Sequence, residues 1–453
     1  MESKLKKAIK LVDVDYAEIH LEERIKTVVN YVGKELEAIG TNSDLGGNVR
    51  AYHKGGWGFV SFNDITNIED YVRSACRQAK LTSAGEGKLK ETPVFEDSVT
   101  VKLEDDPREV PLDEKEELMR SYNNIILASR VVQTSQTGYR DTFIRRTFLN
   151  TEGSYIREER MYCGVAFTAI AKDGANVQTS RFTTGNTKGF KTAVGLESKV
   201  ETVTKEAVDL LKAEKVTGGK YPVIANQRLA GVFCHEAFGH LSEADHVYGN
   251  EKLRNIMKLG KRFGEDYLSI VDDGTIFGER GYYKYDDEGV KSQKTYLIKD
   301  GILGGRLHSR QTAAIMNEPL TGNARAMTYR FKPIVRMSNT YIEPRNKKFE
   351  DMVSEINHGI YAIDALGGQT ELEMFTFSAA KAYLIKNGKI GPIIRDVILS
   401  GNVFETLKNI DAIGDDFELA GSLGGCGKDG QWPLPVSFGS PHIRIRNVII
   451  GGR

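Results

Sequence analysis

The chain has 453 residues, and its 62 Lys+Arg balance its 62 Asp+Glu to a formal net charge of zero, which removes any electrostatic ground for nucleic acid or an anionic membrane as the partner. The longest apolar runs fall far short of the ~20 residues that a bilayer span needs. Met1 to Lys10 lack a signal-peptide core, and the cysteines at 76, 163, 234 and 426 show no close pairing, so a cytoplasmic protein with free thiols in two or three domains is expected.

Residues 1–85 read as an N-terminal α/β region. It holds a helix around Leu5–Leu11, alternating strands through Ala17–Val32 and a hairpin through Val49–Phe62 with a tight turn at Gly55-Gly56. Asn63 or Asp64 then helps to cap a helix over about Asn67–Ala79. Residues 86–219 read as a linker and a central α+β region packing with the first. The linker is the polar stretch 86–107, broken by Gly87, Pro93 and Pro107; a helix at about Asp113–Arg130 follows it. Turns at Asn150-Thr151-Glu152-Gly153 and Lys172-Asp173-Gly174 separate strands, and a helix at about Glu197–Glu214 closes the region. Arg145, Arg146, Arg157 and Arg160 interleave with Glu152, Glu158 and Glu159, which predicts a solvated sheet face instead of a phosphate patch.

The strand Tyr221–Ala225 opens the third region, 220–453. Asn226 is placed to cap a helix whose Leu229, Ala230, Val232, Phe233, Ala237 and Phe238 supply buried surface. Cys234 belongs to that core, because neighbours in sequence point to different sides of a helix and cannot pair as thiol and base with His235. In His235-Glu236-Ala237-Phe238-Gly239-His240 two imidazoles flank a carboxylate. Neutral imidazoles suit zinc, and a carboxylate beside them can take a proton from water, the division of labour in His-Glu-x-x-His enzymes. Here the histidines are five positions apart, which turns the rings about 140° from each other on an ideal helix, where four positions would give about 40°. A π-type bulge brings both to one face, and Gly239 offers a backbone that tolerates it. A catalytic zinc usually has three protein ligands and an open position. Two candidates supply the third: His246, which echoes the extended zinc motif but follows Glu243 where that motif has glycine, and Cys426 in the glycine-rich loop 424–431.

Further along, Asp287-Glu288-Gly289 is an acidic turn, and Asn323 and Arg325 lie in a polar loop before the strand Ile334–Ile342. Asn339 within that strand needs partners if buried and could otherwise bind a substrate backbone. Asn387-Gly388 marks a hairpin, a helix covers about Val403–Ile410, and His442–Ile450 is a final strand. The fold class is α+β: an N-terminal α/β domain, then a β-rich C-terminal domain carrying the metal-binding helix on its surface or edge.

His-Glu-x-x-x-His at 235–240, with Gly424-Gly425-Cys426-Gly427-Lys428-Asp429-Gly430-Gln431, resembles the metal-binding member of the TldD/PmbA metalloprotease family. Leu320 to Arg325, Arg336 to Tyr341, Gly367-Gly368-Gln369 and Tyr285 to Gly289 resemble family segments too, so the likeness covers nearly the whole chain. It implies zinc held by His235, His240 and Cys426, with Glu236 as general base. It also implies peptides or unstructured polypeptide segments as substrates, and a dimer, either of this chain or with a metal-free paralogue. A cationic or amide donor should steady the oxyanion; Asn323, Arg325 and Lys428 are candidates, and Asn339 joins them as a substrate-binding residue. Two alternatives stand beside this reading: a metal-dependent amidohydrolase of a modified peptide, and a non-catalytic partner subunit with a structural zinc.

Overall fold

The N-terminal half is organised by long antiparallel strands in a computed structural model that describes residues 2–103, 105–371 and 373–451. Its elements are α1 (Glu2–Ala8), β1 (Tyr16–Val32), β2 (Glu35–His53), β3 (Gly56–Phe62), α2 (Ile68–Leu81), β4 (Glu96–Val99), α3 (Leu112–Leu127), β5 (Val132–Asn150), β6 (Tyr155–Asp173), β7 (Asn176–Asn186) and α4 (Glu197–Lys212). The strands form one sheet in the order β3-β2-β1-β5-β6-β4, with β7 also on β6. Strand alternation decides which side is dry. Ile19, Val49 and Ala51 pack in one core with Val72 and Ala75 of α2, while Val29, Tyr139, Val165 and Phe167 pack with Met119 of α3 and Val200 of α4.

The opposite parity carries charge and meets the C-terminal half. Arg50 donates to Glu18 at 2.7 Å and to Glu288 at 3.1 Å. Arg310 grips Glu152 with two bonds of 2.8 and 2.6 Å. Two expectations change here. The stretch read as a linker contains β4, which pairs in parallel with Tyr155–Glu158 of β6; it is a short, polar edge strand and so carries no hydrophobic signal. Arg145 and Arg157 are exposed as expected, but Arg146 and Arg160 are largely buried among Glu158, Asp287 and the Tyr285 carbonyl. A second layer, invisible to local pattern, covers their face.

The C-terminal half begins with β8 (Glu214–Lys215), β9 (Gly219–Ala225) and α5 (Gln227–Phe233). Two sheets follow. In the first, His358–Glu371, β9, Ile443–Gly451, Ile398–Asn402 and Met374–Lys386 pair in succession, and His358–Glu371 also pairs with Met374–Lys386, which closes a ring. The second runs Ile302–Leu303, Lys294–Lys299, Ile270–Asp273, Asn339–Ile342, Ser437–Ser440, Glu418–Gly421. The α5 helix lies between them. Phe233 sits edge-on to Phe375 with ring centroids 5.2 Å apart, and on the other side a side chain at Gly231 would come within 2.8 Å of the Gly439 backbone. The helix is therefore held between the two sheets, not placed on a surface or edge, as the small and apolar Leu229, Ala230, Gly231 and Phe233 require. Among the described residues no helix is long and apolar enough to cross a membrane.

Candidate metal centre

Asn226 caps the helix as its position suggests: its side-chain oxygen accepts from Leu229 N at 3.0 Å. After Phe233 the helix widens into a π turn over Cys234–Gly239, which turns histidines five apart toward each other. The His235 and His240 ring centroids are 5.4 Å apart at 80°. Gly239 is required for a different reason from the one its sequence suggests. Its backbone is ordinary right-handed helix, φ −57°, but a Cβ there would lie 2.1 Å from the Met337 sulfur.

Cys426 reaches this turn from 186 positions away, its Sγ 3.3 Å from His240 Nε2. One donor atom from each of His235, His240 and Cys426 falls within 4.8 Å of the others. The cysteine does not lie in an open loop. It begins the strand Cys426–Lys428, paired with Gln431–Leu434, and is buried. Gly425 allows this approach, since a side chain there would meet the Leu434 carbonyl at 2.2 Å. His246 is exposed and groups instead with Glu243 and Asp245. Cys234 is fully buried and burial pushes its thiol up, so it is an inert core residue.

The donor set fits a soft or borderline divalent cation. Burial alone would push the Cys426 thiol up, but His235 and His240 outweigh it and hold the thiol well below its usual range. His235 Nδ1 is buried with no hydrogen-bond partner among the described residues, an expensive state for a nitrogen that binds nothing. His240 Nδ1 donates to Glu243 at 3.0 Å, which directs its Nε2 toward Cys426. Glu236 stands beside the cluster, partly exposed, with its carboxylate 3.9 Å from His240 Nε2. Glu236 and His240 line a cleft of about 850 Å³ whose other walls include Gly368 to Glu371 and Gly427 to Asp429.

The remaining predicted residues are engaged in hydrogen bonds within the C-terminal half. Lys428 gives its protons to Glu243, Asp245 and the Val335 carbonyl, at 3.0, 2.7 and 2.9 Å. Asn323 donates to Asp272 at 2.9 Å and to the Arg336 carbonyl at 3.1 Å. Arg325 holds the Met337 and Pro435 carbonyls. Asn339 is fully buried, donating to the Asp273 carbonyl at 2.7 Å and accepting from Gly281 N at 2.9 Å.

Three supporting groups escaped the sequence reading. Glu243 orients His240 and is held at about 2, because His240 and Lys428 outweigh the burial that would raise it. Asp272 accepts from Ser338 N, Ser338 Oγ and Thr340 Oγ1 at 2.8, 2.6 and 2.9 Å. Arg336, fully buried, donates to the Cys426 carbonyl at 2.8 Å and so fixes the strand that presents the thiol. Glu243 left a trace in sequence as a carboxylate three residues after a histidine on a helix, and Arg336 as the start of a segment resembling the family.

Three family profiles match in succession: PmbA/TldA metallopeptidase domain 1 at residues 17–79, the central domain at 105–214 and the C-terminal domain at 218–452. The chain is 41% identical over 440 residues to "Metalloprotease slr0863" of Synechocystis, covering 97% of this chain and 95% of that one. It is 28% identical to "Zinc metalloprotease TldD homolog" of Saccharolobus solfataricus, covering 99% of each. The fold matches the crystal structure of TldE from Thermococcus kodakarensis with a TM-score of 0.79 at 18% identity, over 100% of both chains. The chain thus belongs to the TldD/PmbA family of metallopeptidases.

Proposed function

We propose that the protein is a zinc-dependent peptidase acting on peptides or unstructured polypeptide segments, with His235, His240 and Cys426 as the ligands and Glu236 as the general base. The observation that carries this reading is the convergence of two imidazoles and a thiolate-prone cysteine within 4.8 Å beside a carboxylate that opens into a cleft. When bound, zinc would supply Lewis acidity toward water and the scissile carbonyl.

The chain's own groups do the rest. Glu236 takes the proton of the attacking water and hands it to the leaving amine, a role its partial exposure at the cleft allows. Glu243 keeps His240 in one tautomer, and Lys428 pairs with both Glu243 and Asp245. The cleft wall at Gly368–Glu371 pairs with Met374–Phe377 along one edge, whereas β9 reaches the other edge only at Ile360–Ala362. An extended peptide adds to that free edge by main-chain hydrogen bonds, which suits unfolded substrates of varied sequence. Exposed Leu36, Ile39 and Met374 offer apolar surface to a second subunit, either another copy of this chain or a metal-free paralogue.

Digestion of a set of unstructured peptides with and without a chelator tests the proposal. Glu236→Gln should keep the metal and lose about 10²–10⁴-fold in turnover. Chelator-insensitive cleavage, or a Glu236→Gln variant of full activity, contradicts it.

A further inference from the structure

A second hollow, of about 260 Å³, lies between the charged face of the N-terminal sheet and the C-terminal half. It is separate from the cleft. Pro433, Leu434 and Pro435 line it, whereas Gly427, Lys428 and Asp429 of the same hairpin line the cleft. Its size is close to the lower end of small-ligand pockets, about 300 Å³.

Its charge is unbalanced. Among the lining cations, Arg24 pairs with Glu22, Arg330 with Asp44, Arg146 with Asp287 and Arg160 with Glu158. Lys26, Arg140, Arg280 and Arg325 also line it, and among the described residues none has a carboxylate within 4.0 Å. Carbonyl groups satisfy part of their donor capacity: Arg280 reaches the Gly424 oxygen at 3.1 Å and Arg325 the Pro435 oxygen at 2.7 Å. These contacts orient the guanidiniums without neutralising them. The Nε groups of Arg140 and Arg280 are buried with no partner among the described residues. Burial, with Arg140 adding to it, lowers Arg280 to about 10.

A structural role for these arginines would account for the carbonyl contacts. It does not account for four cations without a carboxylate partner around one hollow, two of which, Arg280 and Arg325, are buried against the Tyr162 and Tyr283 rings, because buried charge is retained at a high cost unless an opposite charge pairs with it. Guanidinium forks match the paired oxygens of carboxylates and phosphates. We propose that this hollow is an oxyanion-binding site, in which Arg140, Arg280 and Arg325 hold a carboxylate or phosphate group and Lys26 stands at its side.

The test is calorimetric titration of the full chain with inorganic phosphate, with succinate, and with an unstructured glutamate-rich peptide amidated at its C-terminus, at constant ionic strength set by chloride. The peptide arm uses Glu236→Gln so that nothing is cleaved. Saturable binding of at least one probe is expected, weakened at least tenfold by Arg140→Gln and measurably by Lys26→Gln. Both residues are half-buried, and unchanged melting confirms that the variants fold. Binding of phosphate or succinate identifies a free anion as the source, and binding of the peptide alone identifies polypeptide carboxylates. No saturable binding of any probe overturns the proposal. So does affinity that persists in both variants, as binding at the metal centre would. Because binding is read without turnover, the result is independent of peptidase activity.

Discussion

Glu243 Oε2 lies 3.0 Å from His240 Nδ1 on a carboxylate that no solvent reaches, and the same oxygen is 3.0 Å from the Lys428 ammonium. One buried charge therefore aligns a histidine of the helix and a lysine of the hairpin that carries Cys426. The two halves of the proposed donor set, remote in sequence, share a common anchor.

Glu243→Gln preserves shape and removes the charge. Outer partners of this type typically tune metal affinity by about 10–100-fold, and a loss of that size is expected in a zinc competition titration against a chromophoric chelator. Lys428→Met leaves Glu243 with His240 alone and strips Asp245 of its ammonium partner. A loss of about 3–5 kcal/mol in urea unfolding is expected, the usual result of stripping one partner from a buried pair.

Gly239→Ala tests the packing account of the π turn. The new methyl would sit 2.1 Å from the Met337 sulfur, so the turn or Met337 must move, at a cost of about 1–3 kcal/mol. Weaker zinc binding should accompany it, since Gly239 directly precedes His240. If Gly239 served only to loosen the backbone, alanine would be tolerated, because its φ of −57° suits any residue.

Acid should weaken the buried charged face of the N-terminal sheet. Burial alone would raise the Glu18 carboxyl, but Arg50, His20 and Tyr16 together outweigh it and hold the folded value at about 2, against 4.5 for the unconstrained group. A carboxylate depressed in the folded state stabilises fully above its unfolded value and loses that stabilisation as pH falls through its folded value. The contribution, on the order of 3 kcal/mol, should fade between about pH 4.5 and pH 2. Urea midpoints measured across that range should fall more steeply for the natural chain than for Glu18→Gln.

Much of this was legible in sequence. Asn226 as the cap, the π turn forced by a five-residue offset, the buried Cys234 and the turn at Asn387-Gly388 all follow from local chemistry. What escaped was set by pairing at a distance. The four residues of β4 are strand only because β6 lies beside them, and Arg146 and Arg160 are buried only because the Tyr285–Asp287 segment covers them. Asn323 and Asn339 look like binding groups in sequence; in the fold the Asn323 amide nitrogen bonds Asp272 and the Arg336 carbonyl, and Asn339 bonds backbone that a one-dimensional pattern does not bring near.

The central claim is that a thiolate and two imidazoles share one ion. X-ray absorption at the zinc edge of the purified protein measures this directly. The account predicts one sulfur at about 2.3 Å and two imidazole nitrogens at about 2.0–2.1 Å, with the sulfur signal lost in Cys426→Ser. A zinc shell without sulfur, or one unchanged by that substitution, would contradict it.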